Sequence, residues 1–171
     1  MDWEGDHYEG TGRLASVAAI DSIYQIYEEE TVFDEAGIRV RIDYSDPPDE
    51  ENYYYWLLYK NGNYLLNPNP GTRDDLLSSD EFYDGGRITG KEPNTEVTLT
   101  AGDTVLVRQI GLTEAAFTYH DLLYEQTGGT GFVETPSTPI RGNVRNMTRP
   151  NLYPLGYFRA SEVSEAKLVI Q

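Results

Sequence analysis

The stretch Tyr53-Tyr54-Tyr55-Trp56-Leu57-Leu58-Tyr59-Lys60-Asn61-Gly62-Asn63-Tyr64-Leu65-Leu66 decides the fold. Aromatic residues suit a pleated, half-buried surface, and Asn-Gly tolerates the positive φ angles of a type I′ turn, so the stretch reads as a β-hairpin. A period of two puts Tyr54, Trp56 and Leu58 on one face and Tyr53, Tyr55, Leu57 and Tyr59 on the other. Two readings follow. Helix and loops cover both faces, which is the favoured reading, or one Tyr/Trp face is open to stack on a sugar or to grip a protein.

Strict alternation in Gly37 to Tyr44 marks a half-buried antiparallel strand, with Ile38, Val40, Ile42 and Tyr44 on its apolar face. The following Asp46-Pro47-Pro48-Asp49-Glu50-Glu51 reads as an exposed acidic loop, because consecutive prolines remove ladder donors. Glu96 to Thr100 and Thr104 to Ile110 form a further strand pair around Ala101-Gly102-Asp103. Val17 to Tyr27, Leu155 to Ala160 and Glu165 to Ile170 complete the predicted strands. One segment breaks the period. From Thr113 to Gln126 the residues Ala115, Ala116, Tyr119, Leu122 and Leu123 recur at helical spacing, with Thr113 as N-cap, Glu114 at the positive end of the dipole, and Leu112 with Phe117 at staple spacing. Short strands, one helix and no βαβ alternation predict an antiparallel β-sandwich, immunoglobulin- or fibronectin-like, with a helix at about 113–126; a small barrel is the alternative. The long segments Asn67 to Pro93 and Thr127 to Asn151, rich in Pro, Gly, Asn, Asp and Thr, read as functional loops.

Thirteen Lys and Arg stand against 29 Asp and Glu, a net charge of −16 over 171 residues that argues against nucleic acid and anionic membrane surfaces as partners. Only 39% of residues are hydrophobic, but 14 Tyr, 5 Phe and 2 Trp supply enough side-chain area for a core. Cysteine is absent, which excludes disulfides and thiolate chemistry. The start MDWEGDHYEG has neither a basic nor an apolar leader segment, and no 18 apolar residues run together, so the chain as it stands reads as soluble.

Signals for catalysis are sparse. The two histidines, His7 and His120, lie in different contexts, and His120 reads as a structural, partly buried residue. Zinc, Walker A, dinucleotide and nucleophile-elbow patterns are missing. Carboxylates in Ser78-Ser79-Asp80-Glu81-Phe82-Tyr83-Asp84-Gly85-Gly86 admit two chemistries. Paired carboxylates run glycoside hydrolysis; clustered hard oxygens bind calcium, with Asp80, Glu81 and Asp84 as ligands and Asp74-Asp75 nearby, although EF-hand spacing is not met.

Several motifs carry a family resemblance. These are Ile20-Asp21-Ser22-Ile23, the Gly37-Ile38-x-Val40 strand leading to Asp46-Pro47, Asn52-Tyr53-Tyr54-Tyr55-Trp56, and Ser79-Asp80-Glu81-Phe82-x-Asp84-Gly85. Next come Gly102-Asp103-Thr104-Val105-x-Val107 and the helix with Ala116-Phe117-x-Tyr119 ending Leu122-Leu123-x-x-Gln126. The most specific are Gly142-Asn143-Val144-x-Asn146 and Pro154-Leu155-Gly156-Tyr157-Phe158-x-Ala160-Ser161. In order and spacing the chain, over roughly residues 17 to 171, resembles the C-terminal half of the Bacteroidetes proteins catalogued as domain of unknown function 4249.

The resemblance implies a lipoprotein with a signal peptide, a lipidated Cys and an N-terminal β-rich domain, lipid-anchored at the outer membrane and encoded beside a TonB-dependent transporter. On that reading residues 1–171 form one β-sandwich domain of a longer protein. The expected function is non-catalytic: the module helps the transporter capture an oligosaccharide or peptide through its long loops, with Tyr54, Trp56 and Tyr83 as stacking platforms. A protein-docking role in an envelope complex is the second expectation, and a carboxylate-dependent glycosidase the third.

Overall fold

The computed structural model describes residues 1–30, 32, 35–65, 76–93, 98–127 and 139–171. In chain order the strands are β1 (Asp2–Trp3), β2 (Asp6–Gly10), β3 (Leu14–Ala15), β4 (Ile20–Glu28), β5 (Gly37–Ser45), β6 (Tyr53–Lys60), β7 (Asn63–Tyr64), β8 (Leu77–Ser79), β9 (Arg87–Lys91) and β10 (Thr104–Leu112). The helix α1 (Glu114–Thr127) follows, then β11 (Val144–Asn146), β12 (Ala160–Ser161) and β13 (Val163–Val169). Among the described residues the protein is mainly β, built from several antiparallel sheets with the helix α1, and no barrel closes.

The aromatic run behaves as its pattern dictates. β6 turns at Asn61 and Gly62, whose φ angles of 51° and 81° are the left-handed pair a type I′ turn needs. On its other edge β6 pairs with β10, in register from Tyr53 opposite Leu112 to Lys60 opposite Val105. The sheet runs β13-β10-β6-β7, with β8 also on β6, while β4, β5 and β9 form a second sheet. Between them lies the main core, where Val40, Ile42 and Tyr44 of β5 meet Tyr54, Trp56 and Leu58 of β6 and Val105 and Val107 of β10. This is a sandwich-like packing of the two inner faces. Trp56, fully buried, donates from Nε1 to Gln109 Oε1 at 3.0 Å, and Gln109 Nε2 donates to Ala18 O at 3.0 Å, so the polar atoms inside this core are paired.

The opposite face of the same sheet is covered as well. Tyr55, Ile110 and Leu112 pack with Ala116 of α1 and with Leu76 and Leu77 in a second apolar cluster. Thr113 caps the helix: its Oγ1 accepts from Ala116 N at 3.3 Å, and its carbonyl takes Phe117 N at 2.9 Å. Both faces of the aromatic strand are therefore buried, and the open-face reading does not hold.

Five sequence expectations need correction. Asn67 to Pro93, read as a loop, carries β8 and β9, which take their place by pairing with β6 and β5. Leu155 to Ala160 is not a strand apart from Ala160, which opens β12 and pairs in parallel with β3. Thr104 to Ile110 does not pair with its predecessor; Leu99 bridges Ile38, and β10 spends both edges on β6 and β13. Residues 94–97 of that expected pair lie outside the described residues. Asp46, expected on an exposed loop, is 4% exposed. A small sheet β1-β2-β11 has no counterpart in the predicted strands; buried Asp6 holds it together, accepting from Arg149 Nε at 2.8 Å and Asn146 Nδ2 at 2.9 Å.

Asp103 shows how a turn residue becomes a clamp. Its carboxylate accepts from Lys60 Nζ at 2.9 Å, Thr100 N at 2.8 Å and Asn61 Nδ2 at 2.8 Å, which joins the β6–β7 turn to the start of β10. The Lys60 bond foremost, with those from Thr100 and Asn61, holds its pKa well below the usual carboxylate range. That contribution is present at neutral pH and is lost only in strong acid.

His120 has the expected structural setting. It stacks on Tyr55 with ring centroids 5.3 Å apart, and Arg159 Nη1 lies 3.5 Å from its Nε2. Burial, helped by the nearby guanidinium, pushes its pKa down to about 4 from 6.5. The unfolded chain thus binds the proton more readily, so this contribution to stability is complete above pH 6.5 and is lost as pH falls from there to about 4. Replacing His120 by Phe, which keeps the stack on Tyr55, is expected to flatten stability against pH across that window, as urea midpoints from pH 4 to 7 will record. An unchanged slope would show that another group titrates there.

Candidate functional site

The sequence-derived sites separate cleanly in three dimensions. Tyr54 and Trp56, expected as stacking platforms, are 1% and 0% exposed, so no ligand reaches their rings. They pack on each other at 5.9 Å and on Tyr44 at 5.2 and 6.2 Å, while the Lys91 ammonium covers the Trp56 ring at 4.6 Å. Tyr83 is half-buried, and its hydroxyl is engaged with Ser78 Oγ at 2.8 Å. The exposed aromatic of that loop is its neighbour Phe82, at 90%.

The predicted calcium ligands are regrouped. Asp80 and Asp84 come together with Asp46, their carboxylate oxygens within 4.8 Å of one another, and Glu81 is not in the cluster. The turn at 80–86 makes this possible: Tyr83 N donates to Asp80 O, Gly86 N to Tyr83 O, and Asp46 N to Gly86 O, which folds the turn back onto the end of β5. Gly85, at φ +68°, presses on Pro48 and donates its N–H to Asp46 Oδ2 at 3.1 Å. Asp46 Oδ1 also accepts a short hydrogen bond from Tyr54, and Asp80 Oδ2 accepts from Asn52 N at 2.9 Å. Burial, with added repulsion from Asp80 and Asp84, raises the Asp46 pKa above the ordinary carboxylate value against these donors. Three clustered hard oxygens are a donor set for a divalent cation. Asp74 and Asp75 lie outside the described residues.

A further feature is one that sequence reading missed. An open cleft of about 610 Å³ lies between Thr11 to Ser16, Glu51 to Tyr53, the N-terminal turn of α1 and Tyr157 to Ser161. That volume falls in the range of small-molecule sites. One wall is stapled by Asn143, whose Oδ1 accepts from Phe158 N at 2.8 Å and whose Nδ2 donates to Thr11 O at 2.8 Å and to Phe158 O at 2.7 Å. Gly142 lies so close to Gly156 that an added Cβ would sit 1.6 Å from its carbonyl oxygen. The two most specific sequence motifs, at 142–146 and 154–161, thus interlock in this wall. Across the cleft, Gly111 lets the backbone of Ala15–Ser16 cross β10: a Cβ there would lie 1.9 Å from Ser16 O. Thr113, legible in the sequence as a helix cap, also lines the cleft.

Tyr53, Tyr157, Phe158, Leu14 and Leu112 give the cleft apolar and aromatic surface, with Arg13, Arg159, Glu51 and Glu114 as its charged groups. Neither histidine lines it, and neither do Asp80 or Asp84. No helix among the described residues is long and apolar enough to cross a membrane.

Fold and site together define a mainly β, sandwich-like protein with a helix laid on one sheet and, at that helix's start, a cleft with one wall held by the Asn143 hydrogen bonds. The chain belongs to the family described as domain of unknown function (DUF4249), whose family model matches residues 7–167. No curated protein and no solved structure matches it.

Proposed function

We propose that this domain is a non-catalytic binding module of the cell envelope, accessory to an outer-membrane TonB-dependent transporter, and that the cleft is where it captures substrate. The observation that carries the reading is the cleft itself, whose walls are held by the Asn143 staple and by close backbone approaches at Gly142 and Gly111 before any ligand arrives. Preorganised walls lower the ordering cost of binding. The transporter setting and the lipid anchor rest on the family resemblance. Purification of the full-length, lipid-anchored protein from native outer membranes, with mass spectrometry of its companions, tests that setting. A TonB-dependent transporter in stoichiometric amount is the expected result; recovery of the protein alone would remove the transporter from the proposal.

A docking role is the second reading, favoured by Leu152, Tyr153 and Leu155, which are 50%, 59% and 76% exposed along the segment that leads into the cleft wall. Replacing all three by Ser separates the two. Loss of the transporter with ligand binding intact supports docking, and loss of neither supports capture alone.

A further inference from the structure

We propose that the ligand class of the cleft is a short peptide with free termini, a zwitterion with an apolar body; this deepens the capture reading and rests on it. Two arginines, Arg13 and Arg159, and two glutamates, Glu51 and Glu114, are among the residues that line the same cleft. Although the signs are opposite, none of the four closes an ion pair with another, and no carboxylate lies within 4.0 Å of either arginine among the described residues. Arg159 is held instead over the Tyr55 ring at 5.3 Å, and Glu51 accepts only from the Tyr53 hydroxyl at 3.3 Å. The cleft lining therefore carries charges of both signs that are not paired with one another.

Chemistry selects among ligands by what those charges demand. A neutral oligosaccharide would displace their water without replacing it by charge. A simple anion satisfies the arginines but meets Glu51 and Glu114, and a simple cation meets the arginines. A peptide with both termini free answers each sign: its carboxylate faces Arg13 and its ammonium the glutamates. Its side chains then lie on Tyr53, Tyr157, Phe158 and Leu14, where apolar contact adds affinity. The remaining Asn143 side chain is spent on the wall and selects nothing.

Calorimetric titration of the protein with three probes tests this: trileucine with free termini, the same peptide acetylated and amidated, and maltotriose. The free peptide is expected to bind, and capping both ends to weaken it by about tenfold or more, the equivalent of one or two charge pairs. Arg13→Ala and Glu51→Gln, both at exposed positions, are each expected to weaken the free peptide and leave the capped one unchanged. Equal affinity for free and capped peptide, or indifference to both substitutions, would overturn the zwitterion assignment. Binding of maltotriose in place of peptide would overturn it too while leaving the capture reading intact. Binding of no probe, with the protein folded by circular dichroism, would count against both.

Discussion

Gly111→Ala is expected to destabilise the domain by about 3 kcal/mol, the top of the usual range for forcing atoms into a packed interior. The reason is geometric. The new methyl group would lie 1.9 Å from Ser16 O and 3.2 Å from Ala15 O, and both are backbone atoms that cannot rotate away. Gly111 lies in β10, which is paired on both sides, and its own N–H is bound to Glu162 O, so the strand cannot yield either. The segment that must shift is the Ala15–Ser16 crossing, which forms part of the cleft, so any folded Gly111→Ala protein is also expected to lose peptide binding. Gly37→Ala is the control: it meets only the far end of Arg39, at 3.9 Å, and should change stability by less than about 0.5 kcal/mol. Urea unfolding of the three proteins gives the comparison. Equal midpoints for wild type and Gly111→Ala would mean that the chain does not cross β10 there.

Trp56→Ala should cost about 3–5 kcal/mol, the range for removing a large aromatic side chain from a closed core. Trp56 is fully buried, in contact with the rings of Tyr44 and Tyr54, and it satisfies a glutamine that is itself fully buried. Trp56→Phe separates the two contributions, because it keeps most of the packing while leaving Gln109 Oε1 without its donor, at about 1–3 kcal/mol. The same residue reports on function. In a Trp3→Phe background only Trp56 emits, and its fluorescence is expected to be blue-shifted and insensitive to acrylamide, with no stacking response to sugars. Trp3, 64% exposed, is the tryptophan that solvent reaches. A readily quenched Trp56 would restore the stacking platform that burial removes.

Much of this fold was legible from local chemistry. The alternation in Gly37 to Tyr44, the Asn61-Gly62 turn and the capped helix from Thr113 all stand as read, because each depends on residues within one strand, one turn or one helical face. The favoured reading of the aromatic run also stands, with both faces covered. Reading failed where a short polar or glycine-rich stretch takes its structure from a distant partner. β2 and β11 pair although more than 130 residues separate them, and neither has a strong period of its own. Leu155 to Ala160 looks extended by composition, yet it is shaped by the Asn143 clamp and the Gly142 contact rather than by a ladder.

The candidate sites divide along the same line. Aspartate density around Asp80 and Asp84 drew attention to the right turn, but the third carboxylate comes from Asp46, at the end of a strand in the other sheet, and not from neighbouring Glu81. No sequence rule assigns it, since the burial of Asp46 follows from how the 80–86 turn folds back on β5.

By itself the sequence determined the family, the β class with the helix from Thr113, the acidic character of the surface and the position of the central hairpin. These follow from composition and from periods of two and 3.6 residues, which act over a few residues. The tertiary structure alone decided that Tyr54 and Trp56 are core, that Asp46 joins Asp80 and Asp84, and that five separate segments line the cleft. Each of these depends on which strands become neighbours, and that order is set by simultaneous burial and hydrogen-bond pairing across the whole chain, which no local pattern encodes.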